Sequence, residues 1–256
     1  MPALQAASVR PLVLGGLWTS LEVVATTGST NADLLARGGP EGQVLVAEEQ
    51  TAGRGRMGRS WVSEPGAALT FSVLLRPVAV PASRLGWLPL LAGVAVAGAV
   101  RSVAAVAATL KWPNDVLAGD RKLAGILAEQ SGDAVVIGIG LNVATPAAAL
   151  PVPAATSLLV EGSAVAREPL LAEILRRFER WYAAFREDPD PSRTGLLEEY
   201  RTLCATLGRP VRVELPGNRQ LAGLAEDVDA DGRLLVRESG TTSVTPISAG
   251  DIIHLR

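Results

Sequence analysis

EEQTAGRGRMGRSW, residues 48–61, is the stretch around which the rest of the chain makes sense. Gly53, Gly55 and Gly58 alternate with Arg54, Arg56 and Arg59. Glycine lets backbone approach a ligand closely. Arginine brings a planar cationic fork matched to carboxylate and phosphate oxygens. The loop therefore suits a substrate with more than one anionic group, or, read plainly, is a solvated basic loop. Its flanks decide between folds. QVLVAEE (43–49) reads as a strand entering it, whereas RSWVSEPGA (59–67) is a poor helix former with a proline. Gly53-x-Gly55-x-x-Gly58 meets the dinucleotide pattern, but that pattern needs a helix next and an acidic residue about 20 positions on. After Glu64 the next acid is Asp115. No Gly-Lys-Ser/Thr follows, which excludes a P-loop. Single-strand RNA binding would want stacking aromatics and a basic chain; the net charge is −2.

Working outward, residues 18–28 read as a strand. Ser29-Thr30-Asn31 then caps a helix, ADLLARGG, that Gly38-Gly39 ends. The same hydroxyls and free N–H groups also suit a polar ligand. Residues 67–76 form another strand. Residues 85–100 (LGWLPLLAGVAVAGAV) are an uncharged run of 16, short of the ~20 residues a membrane span needs. Its alanines and glycines predict a buried helix packed closely on a sheet. Residues 107–110 lead as a strand into KWPNDV. A hairpin follows, turning at Ala118-Gly119-Asp120, and then a strand at 134–143. Residues 144–157 are Ala/Pro-rich and read as a loop. Pro169 opens a helix that DPDP (188–191) stops. Ser192 is expected to cap a last helix, ended by Gly208. From Arg209 only short strands remain, with turns at Pro216-Gly217-Asn218 and Asp231-Gly232, which predicts a small barrel. The division expected is 1–208 and 209–256.

Composition removes chemistry. One cysteine (Cys204) permits no internal disulfide and fits a reducing compartment. One histidine (His254), third from the end and read as part of a terminal strand, excludes a Cys/His zinc site. It also leaves a Ser-His-Asp triad dependent on the terminus folding back. No secretory signal is evident, and the expectation is a cytoplasmic protein with no membrane or nucleic-acid partner. Of 24 basic residues only Lys111 and Lys122 are lysine; two positions that keep lysine in an arginine-rich chain point to a need for a compact ammonium.

The motifs TGSTNADLL (27–35), EEQTAGRGRMGRSW (48–61), KWPNDV (111–116), RKLAGILAE (121–129) and GIGLNV (138–143), in this order, resemble the biotin–protein ligase family, also called biotin–acetyl-CoA-carboxylase ligases. The resemblance implies an α+β fold. A mixed β-sheet flanked by helices, class II synthetase-like, would be followed by a small C-terminal SH3-like β-barrel. It implies an ATP-dependent, AMP-forming ligase that makes biotinyl-5′-AMP and passes biotin to a lysine of a biotin carboxyl carrier protein or domain. Magnesium is expected on the phosphates, with ligands that the sequence does not assign. Some family members carry an N-terminal helix-turn-helix domain; the first motif here begins at Thr27, so the expectation is ligase activity without DNA binding.

By the same resemblance, Lys122, Arg54 and Arg56 would be catalytic, offsetting the repulsion between a carboxylate and an α-phosphate. Ser29, Thr30, Asn31, Gln50, Gly53, Arg54, Gly55, Arg56, Lys122 and Gly125 would hold biotin. Arg54, Arg56, Trp61, Lys111, Asn114, Asp115, Lys122 and Asn142 would lie near ATP. Trp61 either packs on the adenylate or is an ordinary core tryptophan. Lys111 and Asn114 either serve the nucleotide or shape a turn, and Asn142 is either a ligand contact or a strand-end residue. Asp115 would orient the incoming amine. Lipoate or octanoate transfer and a catalytically silent binding protein are the competing readings. The glycine-arginine loop and KWPND favour biotin over the first, and the intact Arg54, Arg56 and Lys122 argue against the second.

Overall fold

The computed structural model describes residues 3–215 and 219–255; the expected turn at Pro216-Gly217-Asn218 lies outside them. Two sheets organise the chain. The first has seven strands: β1 (Ser20–Thr27), β2 (Gln43–Gln50), β3 (Ala68–Leu75), β4 (Ala108–Lys111), β5 (Asp115–Ala118), β6 (Arg121–Ser131) and β7 (Ala134–Asn142). They lie in the order β1-β2-β3-β7-β6-β5-β4. The β1–β2 pair is parallel and the other pairs are antiparallel, so the sheet is mixed.

Strand periodicity sorts this sheet into two faces. Leu69, Phe71, Val73 and Leu75 of β3, with Val135, Ile137, Ile139 and Leu141 of β7, join the large core. That face is covered by α1 (Ala6–Val13), α3 (Trp87–Ala99), α4 (Arg167–Glu187) and α5 (Leu196–Leu203). The alternate positions Leu74, Ala134 and Val136 form a smaller cluster under Leu34 of α2 (Thr30–Arg37). Beyond the end of α2 the second face is left for the cavity described below.

The apolar run resolves as α3, with eleven of its thirteen residues buried. Its glycine has a packing reason: a Cβ on Gly93 would come 3.2 Å from Leu110 Cδ2 on β4. Pro169 sits in the first turn of α4, where no N–H is missed. Trp18 packs on Phe178 of α4 with ring centroids 5.6 Å apart, and its Nε1 donates to Leu175 O at 3.0 Å. Buried Arg167 meets both oxygens of Glu48 at 2.8 and 3.1 Å, tying α4 to the strand that feeds the glycine-arginine loop.

The second sheet contains β8 (Pro210–Leu215), β9 (Arg219–Val228), β10 (Leu234–Glu238), β11 (Val244–Ile247) and β12 (Asp251–His254). It is antiparallel, in the order β11-β10-β9-β8-β12, and is consistent with an SH3-like fold. Two tryptophans of the first unit hold its β9–β10 turn: Trp87 Nε1 donates to Ala230 O at 2.9 Å and Trp112 Nε1 to Gly232 O at 3.0 Å.

Two sequence expectations need correction, and one helix lies outside them. Helix α1 was not expected: AASVRPLV is short, carries Pro11 and has no side-chain cap. Ser192 does not cap the last helix, because its hydroxyl donates to Asp190 Oδ1 at 2.7 Å; Gly195 in a left-handed conformation precedes that helix instead. The helix also ends at Leu203 rather than running to Gly208. The chain is drawn off by a bridge between Cys204 and Leu110, with Ala205 N donating to Leu110 O at 2.8 Å.

Candidate active site

The open end of the first sheet floors a cavity of about 590 Å³, within the ~300–1,000 Å³ range of small-molecule sites. On β7 the positions facing it are Gly138, Gly140 and Asn142. Both glycines are demanded by close approach. A Cβ on Gly138 would lie 2.3 Å from Asn31 Oδ1, and one on Gly140 would lie 2.2 Å from Trp61 Cε2. Neighbouring β6 contributes Lys122 and Gly125. Its register against β5 shifts between Val116 and Leu117, a slip that brings these residues, three apart, to one face. Gly125 is a further close approach, 3.2 Å from Lys122 Nζ and 3.4 Å from Trp61 Cζ3 to an added Cβ. Trp61 thus lies across a glycine floor, with its indole against the sheet.

At one end of the cavity the lining side chains are polar and neutral. Ser29 caps α2, accepting from Ala32 N at 3.4 Å. Gln50 Oε1 accepts from Thr30 N at 2.8 Å and from Thr30 Oγ1 at 2.9 Å. Ser72 Oγ lies 2.6 Å from both Thr30 Oγ1 and Asn31 Oδ1, and Asn31 Nδ2 donates to Leu127 O at 3.2 Å and Glu129 Oε2 at 2.8 Å. Ser29, Thr30, Asn31 and Ser72 are all buried. A buried network with this few free rotamers presents a fixed pattern of donors and acceptors. Thr70 Oγ1 and Trp61 Nε1 are buried without a hydrogen-bond partner among the described residues, and both residues line the cavity.

The other end is cationic. The glycine-arginine segment folds back on itself: Gly55 N donates to Arg59 O at 2.6 Å and Trp61 N to Gly53 O at 2.9 Å. Met57 (φ 55°) and Gly58 (φ 74°) make the tight turn at its tip. Arg56 Nη1 donates to Asn114 Oδ1 at 3.0 Å. Burial pulls the Arg56 guanidinium below its ordinary pKa, and the carboxylates of Asp251 and Asp115 oppose that pull. Arg54 lies 3.5 Å from Glu129, and Lys122 Nζ 2.6 Å from Asp115 Oδ1. The Lys122 backbone is pinned by the 154–156 segment, donating to Ala154 O at 2.7 Å and accepting from Thr156 N at 2.8 Å. Asn142 Nδ2 holds the same segment through Thr156 O at 2.9 Å.

The cavity therefore brings together Ser29, Thr30, Asn31, Gln50, Arg54, Gly55, Arg56, Trp61, Asn114, Lys122, Gly125 and Asn142 of the residues singled out from sequence. It leaves three of them out of its lining. Gly53 is buried behind the wall, where a Cβ would meet Trp61 O at 2.4 Å and Gln50 Nε2 at 2.7 Å. Asp115 faces the cavity only through Lys122. Lys111 opposes Asp115 in the strand register, and its charge acts on His254. Of the two lysines, Lys122 lines the cavity and Lys111 does not. The sequence reading missed Arg59, Thr70, Ser72, Glu129, Gly138, Gly140 and the 151–155 segment. Thr70 and Ser72 carried a signal, since they interrupt an apolar strand at period two. The 151–155 segment carried none.

Residues 21–142 match a family model described as the biotin/lipoate A/B protein ligase family, and residues 206–255 match one described as the biotin protein ligase C-terminal domain. The chain is 46% identical to the biotin–[acetyl-CoA-carboxylase] ligase of Mycobacterium tuberculosis, covering 100% of this chain and 97% of that one. The chain belongs to the biotin–protein ligase family. The ligase is also 36% identical to the biotin–[acetyl-CoA-carboxylase] ligase of Paracoccus denitrificans, over 88% of this chain and 97% of that one. Its fold matches a biotin protein ligase from Aquifex aeolicus in complex with biotin and ATP. That match has a TM-score of 0.80 and 29% identity, and covers 93% of this chain and 100% of the other. The glycine-arginine loop, the glycine floor and the buried α2 network of the ligase all fall within the first family match.

Proposed function

We propose that this ligase activates biotin with ATP to biotinyl-5′-AMP and transfers the biotinyl group to a lysine of a biotin carboxyl carrier protein or domain of an acyl-CoA carboxylase. One observation carries the reading: a single cavity joins a fixed, neutral hydrogen-bonding end to an end bearing Arg54, Arg56 and Lys122. A ureido ring needs the first kind of surface. A carboxylate approaching an α-phosphate needs the second, because fixed cations offset the repulsion of two anions and orient an in-line attack.

In the first step a biotin carboxylate oxygen bonds to the α-phosphorus and pyrophosphate leaves. Lys122, released from Asp115, bridges the carboxylate and the α-phosphate, while Arg54 and Arg56 close over them. In the second step the carrier amine attacks the acyl carbon and AMP leaves. Asp115, its ammonium partner now engaged elsewhere, orients that amine. Ser29, Thr30, Asn31 and Gln50 hold the biotin rings, with unpartnered Thr70 Oγ1 a further donor there. Trp61, Asn114 and Asn142 flank the nucleotide. No enzyme nucleophile is needed, and Cys204 could not serve: it is buried, and burial pushes its thiol pKa up. The described residues hold no group of three His, Cys, Asp or Glu side chains able to cage a metal. Magnesium bound to the ATP phosphates would neutralise part of their charge.

In this proposal the chain divides at residue 208 into a catalytic unit and a barrel, works in a reducing cytoplasm, and has no DNA-binding role. The net charge of −2 supports the last point. The test is pyrophosphate release on mixing protein, biotin and ATP, with lipoate and octanoate in parallel. Release with biotin alone supports the reading; release with lipoate alone transfers the chain to the neighbouring chemistry.

A further inference from the structure

The glycine-arginine loop is anchored to the second sheet as well as to the first. Arg59 Nη2 lies 2.9 and 2.7 Å from the two carboxylate oxygens of Asp251, the first residue of β12. Arg56 Nη2 donates to the carbonyl of the preceding Gly250 at 3.4 Å. The loop tip has little else to hold it: Met57 is 62% exposed, and a Cβ placed on Gly58 would meet nothing within 4 Å. Among the described residues, the long-range side-chain partners of Arg54, Arg56 and Arg59 are Glu129, Asn114, Gly250 and Asp251. Half of these belong to the edge strand of the second sheet or its entry.

We propose that Asp251 is a positioning residue. Through Arg59 it holds the glycine-arginine loop over the cavity, keeps Arg56 aimed inward, and so delays escape of the acyl-adenylate until an acceptor amine arrives. This rests on the ligase reading above. It gives the second sheet a defined part in the reaction: it supplies the far post of a lid borne by the first. The latch is weak by construction. Arg59 and Asp251 side chains are 58% and 26% exposed, and such pairs contribute little individually and are screened by salt. A weak latch suits a loop that must also open in every cycle.

The test measures release of pre-formed biotinyl-5′-AMP into a chase of unlabelled biotin and ATP, using the full chain. Asp251→Ala is expected to speed release about 2- to 5-fold, the range an exposed pair supports. Asp251→Glu is expected to restore the wild-type rate. Raising salt should speed release from the wild type and leave Asp251→Ala nearly unchanged. Equal release from Asp251→Ala and wild type overturns the proposal. So does faster release from Asp251→Ala that Asp251→Glu fails to correct, because that marks a general loosening of the barrel. Absence of any adenylate from the wild-type protein would instead overturn the ligase reading itself, a separable result.

Discussion

Gly140→Ala and Gly138→Ala remove no functional group, yet they should disable different halves of the cavity. An added Cβ at 140 lies 2.2 Å from Trp61 Cε2 and 2.4 Å from Cζ2. Carbon atoms rest ~3.5–4.0 Å apart, so the indole must move by about 1.3 Å or more. Trp61 is only partly buried and sits on a loop, so the ring can yield, and the stability loss should fall near the low end of the ~1–3 kcal/mol cost of overpacking. The catalytic loss should be larger, because a ~1 Å misplacement can cost ~100-fold. An added Cβ at 138 lies 2.3 Å from Asn31 Oδ1 and 2.9 Å from Cγ. Asn31 is 4% exposed and held at 2.8 Å by Glu129, so it cannot step aside. Stability should fall by the upper end of that ~1–3 kcal/mol range. Titration calorimetry for biotin and steady-state kinetics for ATP separate the two. Gly138→Ala should weaken biotin binding with little change in the KM for ATP among folded molecules. Gly140→Ala should raise the KM for ATP and lower kcat while biotin binds almost normally. If both variants shift both ligands alike, the division of the cavity into a biotin end and a nucleotide end is wrong.

Four further outcomes follow from the same geometry. Lys122→Ala should lower adenylate formation by ~10²–10³-fold, the cost of one transition-state donor, and pyrophosphate release within a few-fold of wild type would refute that role. Arg56→Gly removes a charge-assisted bond worth ~1.5–3 kcal/mol, so the intermediate should escape ~10–100-fold faster and label bystander lysines; unchanged retention contradicts it. Glu48→Ala removes the two bonds that Arg167 makes to that carboxylate while its bond to Ala68 O remains, and should cost ~1.5–3 kcal/mol in denaturant unfolding, with a loss under 1 kcal/mol counting against the pairing. His254 is held below its ordinary pKa of 6.5 by burial first, then by Lys111 and Arg209. The unfolded chain therefore binds the proton more readily, and this contribution to stability is present above pH 6.5 and lost as the pH falls through 6.5 toward the lowered value. As His254 is the one histidine, proton NMR reads it directly; titration at or above 6.5 would contradict the burial argument.

The fold was legible where periodicity is strong. β3 and β7 alternate cleanly between two buried faces, and the two glycines of β7 mark where the second face stops being core. The hairpin through Gly119 and the five short terminal strands were legible from turn chemistry. α1 was not, because an eight-residue helix with an internal proline has no local signal and exists through Val9 and Val13 packing into the core. Ser192 misled because its hydroxyl had two competing uses, and the Asp190 side chain next to it won. In the site, residue type was the informative layer and orientation the missing one. Lys111 and Lys122 look alike in sequence, and only the register shift on β6 shows why one of them faces the cavity. Gly53 was read as a ligand contact because glycine signals close approach; the close approach present in the structure is to Gln50 and Trp61. Arg59 belonged to the visible alternation, yet its partner Asp251 lies 192 positions away, beyond any local pattern.

The most direct measurement is mass spectrometry of an isolated carrier domain after incubation with this protein, biotin and ATP. One biotinyl group on one lysine of the carrier, dependent on ATP and accompanied by AMP and pyrophosphate, is the result expected. A carrier left unmodified while lipoate or octanoate is attached under the same conditions would contradict the account.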